Sequence, residues 1–321
     1  MVKKTKLILA TRGSKLALWQ SNHVATILAE KAGIAVELKT IKTQGDKILD
    51  APLSKIGDKG LFVKEIETAL IEGEADLAVH SSKDVPTEIP AQLMLGAFLK
   101  RADARDVLIS KSGKGLLDLP EGSVIGTSSL RRKSQILNRR PDVRIVDVRG
   151  NLDTRLRKMN EGLFDAIILA AAGLDRMGWN EGITERISPD IMLSAVGQGA
   201  IAIEIRKNDE QMLDLMKYLD DSETRAAVMA ERALLKELEG GCQIPIGAFG
   251  VVEDGKMKLD GMVASLDGKK LVRGVIIGNL REAEELGVQL ANKLKDMGAD
   301  EILAEVRAET ELISKPIHTN G

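Results

Sequence analysis

Hydrophobic and polar residues follow two patterns that alternate along the N-terminal part of the chain. Short apolar runs with polar ends, such as Lys6 to Ala10 and Val36 to Ile41, predict strands. Between them, the spacing of apolar residues from Ser14 to Lys31 predicts a helix, which ends at Gly33 because glycine readily adopts the backbone conformation found just after a helix. Strands alternating with helices are typical of parallel sheets crossed by helices, so this region is predicted to be α/β.

A repeated segment indicates two similar halves. Residues 72–79 read EGEADLAV and residues 161–169 read EGLFDAIIL, so each has Glu-Gly, two further residues, Asp and an apolar run. A helix is predicted from Leu61 to Ile71, before the first repeat. The first apolar run, Asp76 to His80, predicts a buried strand that leads into a loop at Ser81 to Asp84.

Two segments are predicted to connect the halves. Lys100 to Arg105 is a charged link, and the glycine-rich segment Ala195 to Gly199 leads the chain back into another strand, Ala200 to Ile205. Two crossings predict a hinge. Ligands of open α/β sheets lie at the carboxyl ends of strands, so the cleft between the halves is the predicted ligand site.

From Ser222 onwards the pattern predicts a different unit. A helix to Leu238 is followed by short strands separated at Asp254-Gly255 and Asp267-Gly268, and a second helix is predicted from Glu282 to Met297. Asp-Gly between alternating residues is typical of hairpins. The C-terminal part is therefore predicted to be a small α+β unit with an antiparallel sheet.

Composition narrows the class of protein. Hydrophobic residues make up 44% and charged residues 29% of the chain, as in an ordinary globular protein. The net charge of −2 gives no general attraction to nucleic acid or to membranes, and aromatic residues, at 2%, are too few for a base-stacking surface. One cysteine permits no internal disulfide, and no run approaches the ~20 apolar residues that span a bilayer. These features favour a cytoplasmic protein.

Eight arginines against three aspartates lie between residues 131 and 157. Ile125 to Arg132 predicts a strand that turns into a helix N-terminus, where free N–H groups and two arginines favour an anion. The segment Val146 to Asn151 predicts the same arrangement, with Arg149 after a strand and Arg155 on the next helix. Paired guanidinium groups suit a ligand with several carboxylates, although phosphates also fit. The other arginines are interpreted as solvated surface: Arg139, Arg140, Arg144 and Arg157.

Two single residues are candidates for chemistry, and each has a plain alternative. Cys242 follows two glycines on a predicted turn and is either a small buried residue or a reactive thiol. Asp84 follows the repeated strand and either pairs with a neighbouring cation or handles protons in the cleft. No metal site or nucleotide loop is predicted, because the residues lack the required spacing.

Six short motifs lie along the chain: ATRGSKLA (10–17), DKGLF (58–62), HSSKDVP (80–86), GTSSLRR (126–132), VGQG (196–199) and EGGC (239–242). They resemble the motifs of the porphobilinogen deaminase (hydroxymethylbilane synthase) family and occur in the same order. Each is weak alone, but together they cover nearly the whole chain and are highly specific. One departure is Ser82, where the family commonly has a larger apolar residue.

This resemblance implies a transferase of tetrapyrrole and haem biosynthesis. It implies a dipyrromethane cofactor attached covalently through a thioether to Cys242, on which four porphobilinogen molecules condense in turn, each losing ammonia, before water releases hydroxymethylbilane. Asp84 is the implied catalytic residue, since a carboxylate stabilises the positive N–H of an azafulvenium group. The resemblance implies cofactor binding by Lys83, Ser129, Arg131, Arg132 and Arg155, substrate binding by Arg12, Arg149 and Arg176, a mobile loop with Lys55 and Lys59, and no metal.

The resemblance also implies the organisation of the chain. The expected fold class is α/β, with two similar doubly wound α/β domains that form a hinged cleft, as in periplasmic binding proteins, and a small C-terminal α+β domain with an antiparallel sheet. The expected domains are residues 1–99 with 200–217, residues 105–194, and residues 222–321. The expected protein is a monomer that passes its product to uroporphyrinogen-III synthase and binds neither nucleic acid nor membranes.

Two other classes of function share part of this pattern. A two-lobed anion-binding protein, or the effector domain of a transcription factor, would have the same paired halves but would need neither Cys242 nor Asp84. A cysteine-dependent acyltransferase would need a base beside its thiol. The three histidines do not occur in a recognisable context for that base: His23, His80 and His318.

Overall fold

A computed structural model describes residues 4–47, 60–238 and 244–314. The first unit is built on a five-stranded sheet in the order β2-β1-β3-β10-β4, with β1, β2 and β3 parallel and β10 antiparallel to both of its neighbours. Its strands are β1 (Lys6–Thr11), β2 (Ala35–Thr40), β3 (Leu77–Ser81), β4 (Leu93–Phe98) and β10 (Ile201–Arg206).

Helices cover both faces of this sheet. Leu7 and Leu9 of β1 pack with Val24 and Leu28 on one face, and Ala10 packs on the other, as strand alternation requires. The predicted ends of the first helix are confirmed: Ser14 caps its start, and Gly33 ends it with a φ of 67°. The helices are α1 (Lys15–Ala32), α2 (Gln44–Lys47), α3 (Lys64–Ile71) and α7 (Glu210–Met216), and a 3₁₀ turn spans Ser82–Asp84.

The second unit has the same strand order and the same directions as the first. Its sheet runs β7-β6-β8-β5-β9, with β5 antiparallel to β8 and β9. The strands are β5 (Asp106–Ser110), β6 (Val124–Gly126), β7 (Arg144–Val146), β8 (Ala166–Ala170) and β9 (Glu185–Arg186), and the helices are α4 (Leu130–Arg139), α5 (Leu152–Asn160) and α6 (Ala171–Met177).

The aspartate of the repeated sequence makes equivalent hydrogen bonds in both units. The Asp76 backbone N–H donates to Ile8 O at 2.8 Å, and its carboxylate accepts from Ile8 N at 2.9 Å. Asp165 makes the same two contacts with Val124, both at 2.8 Å. Each aspartate therefore fixes the start of a central strand against its neighbour, and the two similar halves are confirmed.

The sheets differ from the predicted parallel arrangement. In each unit, one strand follows directly after the chain has crossed from the other unit. Strand β10 joins the first sheet after Gly199, and β5 joins the second sheet after Arg105. Both run antiparallel to their neighbours because the chain enters from the cleft side. The direction of each strand depends on pairing with strands that are distant in the sequence, so no local pattern predicts it. The doubly wound α/β class itself is confirmed.

The third unit is the predicted antiparallel sheet with helices on one face. The turn at Asp254-Gly255, with φ values of 50° and 72°, joins its first two strands, as the hairpin signal predicts. A final helix was not predicted. The elements are α8 (Ser222–Glu237), β11 (Ile246–Glu253), β12 (Lys256–Ala264), β13 (Leu271–Asn279), α9 (Ala283–Asp296) and α10 (Ala299–Ser314).

Within the described ranges, no helix has the length and apolar character needed to cross a membrane. The domain limits given above stay a prediction.

Candidate active site

The short 3₁₀ turn after β3 carries Lys83 and Asp84 to the end of the first sheet. Lys83 lies within electrostatic reach of Arg131 and Arg132 on α4 and of Asp106 at the start of β5. Its pKa is lowered to about 8, first by burial and then by Arg132, while Asp84 and Asp106 oppose this change. The first unit thus presents one lysine and one carboxylate to the basic residues of the second.

Asp106 holds the two arginines of α4 in place. It is fully buried, and its carboxylate accepts from Arg131 Nη1 at 2.7 Å and from Arg132 Nη2 at 2.8 Å and Nε at 3.1 Å. Each arginine also donates to a main-chain carbonyl, with Arg131 Nη1 bonded to Leu193 O and Arg132 Nη1 to Ile168 O. The pKa of Asp106 is lowered far below its usual range because the two guanidinium groups outweigh its burial. One carboxylate therefore balances two buried cations.

The start of α4 is the strand-to-helix turn that the sequence predicts. Ser129 is the N-cap and accepts from Arg132 N at 3.4 Å, while Thr127 Oγ1 accepts from Ser129 N at 3.2 Å. These hydroxyls fix where the helix begins. Arg131 and Arg132 consequently occupy its first turn, where both side chains reach Asp106.

Arg149 and Arg155 complete the basic cluster. Arg155 Nε donates to Gly150 O at 2.8 Å, and burial together with Arg132 lowers its pKa to about 10, although Asp84 opposes this change. Arg149 also lies within reach of Arg155. Its Nε and Nη2 are buried and have no partner among the described residues, and the same is true of Arg131 Nε. Buried N–H groups without acceptors fit a ligand that brings carboxylates.

Arg12 and Arg176 have other partners. The Arg12 guanidinium donates to the Asp46 carboxylate and lies 4.3 Å from the centre of the Phe62 ring. Arg176 Nη2 donates to Gly199 O at 2.7 Å, and burial lowers its pKa to about 10. Three predicted site residues lie outside the described ranges: Lys55, Lys59 and Cys242.

One of the arginines interpreted as surface residues is structural instead. Arg140 has a side chain that is 12% exposed, pairs with Asp142 and donates to the carbonyls of Leu116, Leu117 and Leu119. Its three carbonyl partners lie more than 20 residues earlier in the chain, so the sequence around Arg140 gives no signal for this role. Arg157, by contrast, pairs with Glu161 while 63% exposed, as expected of a surface residue.

Two residues that organise the cluster were not predicted as site residues. Asp106 begins an apolar strand, and only its position at the strand start was visible in the sequence. Gln198 lies between two glycines of the returning connection; it is buried and contacts both Lys83 and Asp106. Both act through partners that are distant in the chain, so no local pattern reveals them.

Comparisons with known proteins show the family of this chain. Residues 7–214 match the model of the porphobilinogen deaminase dipyrromethane cofactor binding domain, and residues 225–296 match that of the porphobilinogen deaminase C-terminal domain. The chain is 52% identical over 307 residues to porphobilinogen deaminase from Pelotomaculum thermopropionicum, covering 95% of this chain and 98% of that one. It is 54% identical over 303 residues to the porphobilinogen deaminase of Brevibacillus brevis, covering 94% and 97%.

Among solved structures, substrate binding domain 2 of Lactococcus lactis GlnP in its open conformation is similar at 12% identity, with a TM-score of 0.41, covering 67% of this chain and 88% of that one. The two family models together span both sheets of the cleft and much of the third unit. The family resemblance of the six motifs is therefore confirmed, and the chain belongs to the porphobilinogen deaminase family.

Proposed function

We propose that this chain is a porphobilinogen deaminase, or hydroxymethylbilane synthase. It is a transferase that joins four porphobilinogen molecules head to tail and releases hydroxymethylbilane and ammonia, in tetrapyrrole and haem biosynthesis. The observation that carries the proposal is a single cluster. Asp84 lies among Lys83, Arg132 and Arg155, at the point where the two sheets face each other.

The residues present fit a dipyrromethane cofactor bound between the two units. When bound through Cys242, this group supplies the α-carbon to which the first substrate is joined. Its acetate and propionate groups need cations and hydrogen-bond donors, and the buried N–H groups of Arg131 and Arg149, which have no acceptor among the described residues, would provide them. The residues proposed to hold it are Lys83, Ser129, Arg131, Arg132 and Arg155.

Asp84 is proposed to carry the repeated chemistry. When the C–N bond of the aminomethyl group breaks, the bonding electrons leave with ammonia, and the pyrrole N–H becomes positive. A carboxylate beside that N–H lowers the energy of the charged species. After the new C–C bond forms, the α-carbon loses a proton, and we propose that the Asp84 carboxylate accepts it.

The surrounding cations match the charge that accumulates on the product. Each pyrrole adds two carboxylates, so the bound chain becomes more negative at every step. Arg149 and Arg155 are partly desolvated, which strengthens their attraction to an incoming carboxylate. Arg12, Arg149 and Arg176 are proposed to bind substrate, while Lys55 and Lys59 are proposed to belong to a mobile loop over the cleft.

We further propose that the protein is a cytoplasmic monomer. Its product is an unstable linear tetrapyrrole, which uroporphyrinogen-III synthase would consume. No metal and no dissociable cofactor are needed for the proposed steps.

Intact-mass measurement tests the proposal directly. The purified protein is expected to be heavier than its sequence by two condensed pyrrole units, and Cys242→Ser is expected to lack this addition. Incubation with porphobilinogen should then add further single pyrrole units and yield hydroxymethylbilane. An unmodified protein that binds porphobilinogen reversibly without consuming it would instead identify a two-lobed anion-binding protein.

A further inference from the structure

All three units meet at the turn Gly197-Gln198-Gly199, where the chain returns to the first sheet. Gly197 and Gly199 have φ values of 70° and 89°, which favour glycine. Gly197 N donates to the Glu231 carboxylate of α8 at 2.6 Å, and Gly199 O accepts from Arg176 of α6 at 2.7 Å. The second and third units therefore fix the backbone of this turn.

The side chain of Gln198 spans the cleft floor between the first and second units. It is 1% exposed, and its Nε2 donates to Ala104 O at 2.8 Å and to Asp106 Oδ1 at 2.9 Å. Its Oε1 accepts from Lys83 Nζ at 3.4 Å. One neutral side chain thus connects a lysine of the first unit to the carboxylate that holds Arg131 and Arg132.

The orientation of this amide follows from its partners. Ala104 O and the Asp106 carboxylate are acceptors only, so the NH₂ group must face them. The carbonyl oxygen then faces Lys83, which as an ammonium can only donate. A flipped amide would place donors against Lys83 and acceptors against Asp106, so the network admits a single arrangement.

Lys83 needs this acceptor because its other neighbours are mixed in charge. Arg131 and Arg132 of α4 repel its ammonium, while Asp84 of its own turn and Asp106 of β5 attract it. Asp106 is already shared by two arginines and by Gln198. A carbonyl dipole directed at Nζ therefore favours the charged form of Lys83.

We propose that Gln198 is a positioning residue that keeps Lys83 charged and at a fixed distance from the Arg131–Arg132 pair, by linking it to Asp106. This inference rests on the proposed function, in which these three cations hold the carboxylates of the cofactor. It assigns the returning turn a role in the chemistry of the cleft as well as in the connection between units.

The test compares the holoenzyme with its Gln198→Met variant, which keeps the length of the side chain but loses both hydrogen-bonding groups. Titration of ¹³Cε-labelled lysine by NMR, with Lys83 assigned through Lys83→Arg, reports the protonation of Lys83 without turnover. We expect the midpoint of this titration to fall by about half a pH unit, equivalent to about threefold in the protonation constant. The pH at which kcat/KM declines on the alkaline side should shift downwards by a similar amount.

Gln135→Met is the matched control. Gln135 is 4% exposed and makes three hydrogen bonds of its own, to Leu193 N, Leu193 O and Arg131 O, but it does not contact Lys83. Its loss should cost stability and leave the Lys83 titration unchanged. If Gln198→Met does not fold, Gln198→Asn, which is one methylene shorter, serves in its place with the same expected direction.

The outcomes separate the two proposals. If Lys83 titrates alike in the holoenzyme and in a folded Gln198 variant, the positioning role is overturned, whatever the activity. If the midpoint falls but the wild-type protein makes no hydroxymethylbilane, the link exists and the proposed function fails.

Discussion

Asp106 gives the sharpest test of how the basic cluster is stabilised. The substitution Asp106→Asn keeps the shape of the side chain but removes the charge that balances Arg131 and Arg132. Asp106 accepts four hydrogen bonds at 2.7 to 3.1 Å, from three side chains, while fully buried. An asparagine would direct an NH₂ group at donors and leave two buried cations without a counter-charge.

Breaking a buried ion pair by removing one partner typically costs about 3 to 5 kcal/mol. We expect the free energy of unfolding to fall by about that amount, because both arginines are at most 6% exposed and no other carboxylate bonds to them among the described residues. Urea unfolding followed by circular dichroism measures the change. Asp153→Asn is the control: its pair with Lys15 at 3.7 Å is exposed, so it should cost less than about 1 kcal/mol.

The pH dependence checks the same reasoning by a second route. The folded pKa of Asp106 lies below its unfolded value of about 3.9, so its contribution is fully present above that value and is lost as the pH falls from there through the folded pKa. The stability difference between wild type and Asp106→Asn should therefore shrink below about pH 4. A loss under 1 kcal/mol at neutral pH, or a difference that grows in acid, would refute the idea that this carboxylate holds the arginines.

Three further changes test other parts of the molecule. Asp84→Asn should retain the fold and bind porphobilinogen, as calorimetry would show, but lower kcat at least about a hundredfold; near-normal turnover would remove Asp84 from its role. Ser82→Ala should raise the free energy of unfolding by about 1 kcal/mol in urea, since Ser82 Oγ is buried beside Gly197 and has no partner in the part of the chain that the structure describes; a loss of stability would show that the hydroxyl is satisfied. Burial and Glu204 raise the pKa of Glu67 to about 7, so its stabilising effect is present below about pH 4.3 and is lost as the pH rises through 7. Glu67→Gln should remove that loss. If the free energy of unfolding changes with pH equally in the wild type and in Glu67→Gln, the assignment is wrong.

The regular parts of the fold could be predicted because their signals are local. The helix from Lys15 to Ala32 has a serine at its start and a glycine at its end, and both act within one turn. The repeated Asp76 and Asp165 segments also predict two equivalent strands. The direction of β10 could not be predicted, because it depends on which sheet receives a strand that arrives from the other unit.

For the candidate site, the sequence proposes individual residues but not the network of contacts that joins them. The resemblance to the family proposes Lys83, Asp84 and the arginines, and the N-cap at Ser129 was visible from residue types. The contacts that organise these residues join positions from 25 to 115 apart in the chain, with Asp106 and Gln198 separated by 92. Hydrogen bonds between such distant positions depend on tertiary packing, and no local pattern in a single sequence reveals them.

The network also separates two kinds of arginine that look alike in the sequence. Arg131 and Arg132 receive most of their compensation from Asp106 and from main-chain carbonyls, so they are already held in place before a ligand arrives. Arg149 keeps two buried N–H groups without an acceptor among the described residues. A ligand carboxylate would therefore gain more from Arg149 than from the fixed pair, because it would satisfy groups that otherwise stay unpaired. Arg131 and Arg132 therefore fix the geometry of the site, whereas Arg149 offers a ligand carboxylate the larger gain in binding free energy.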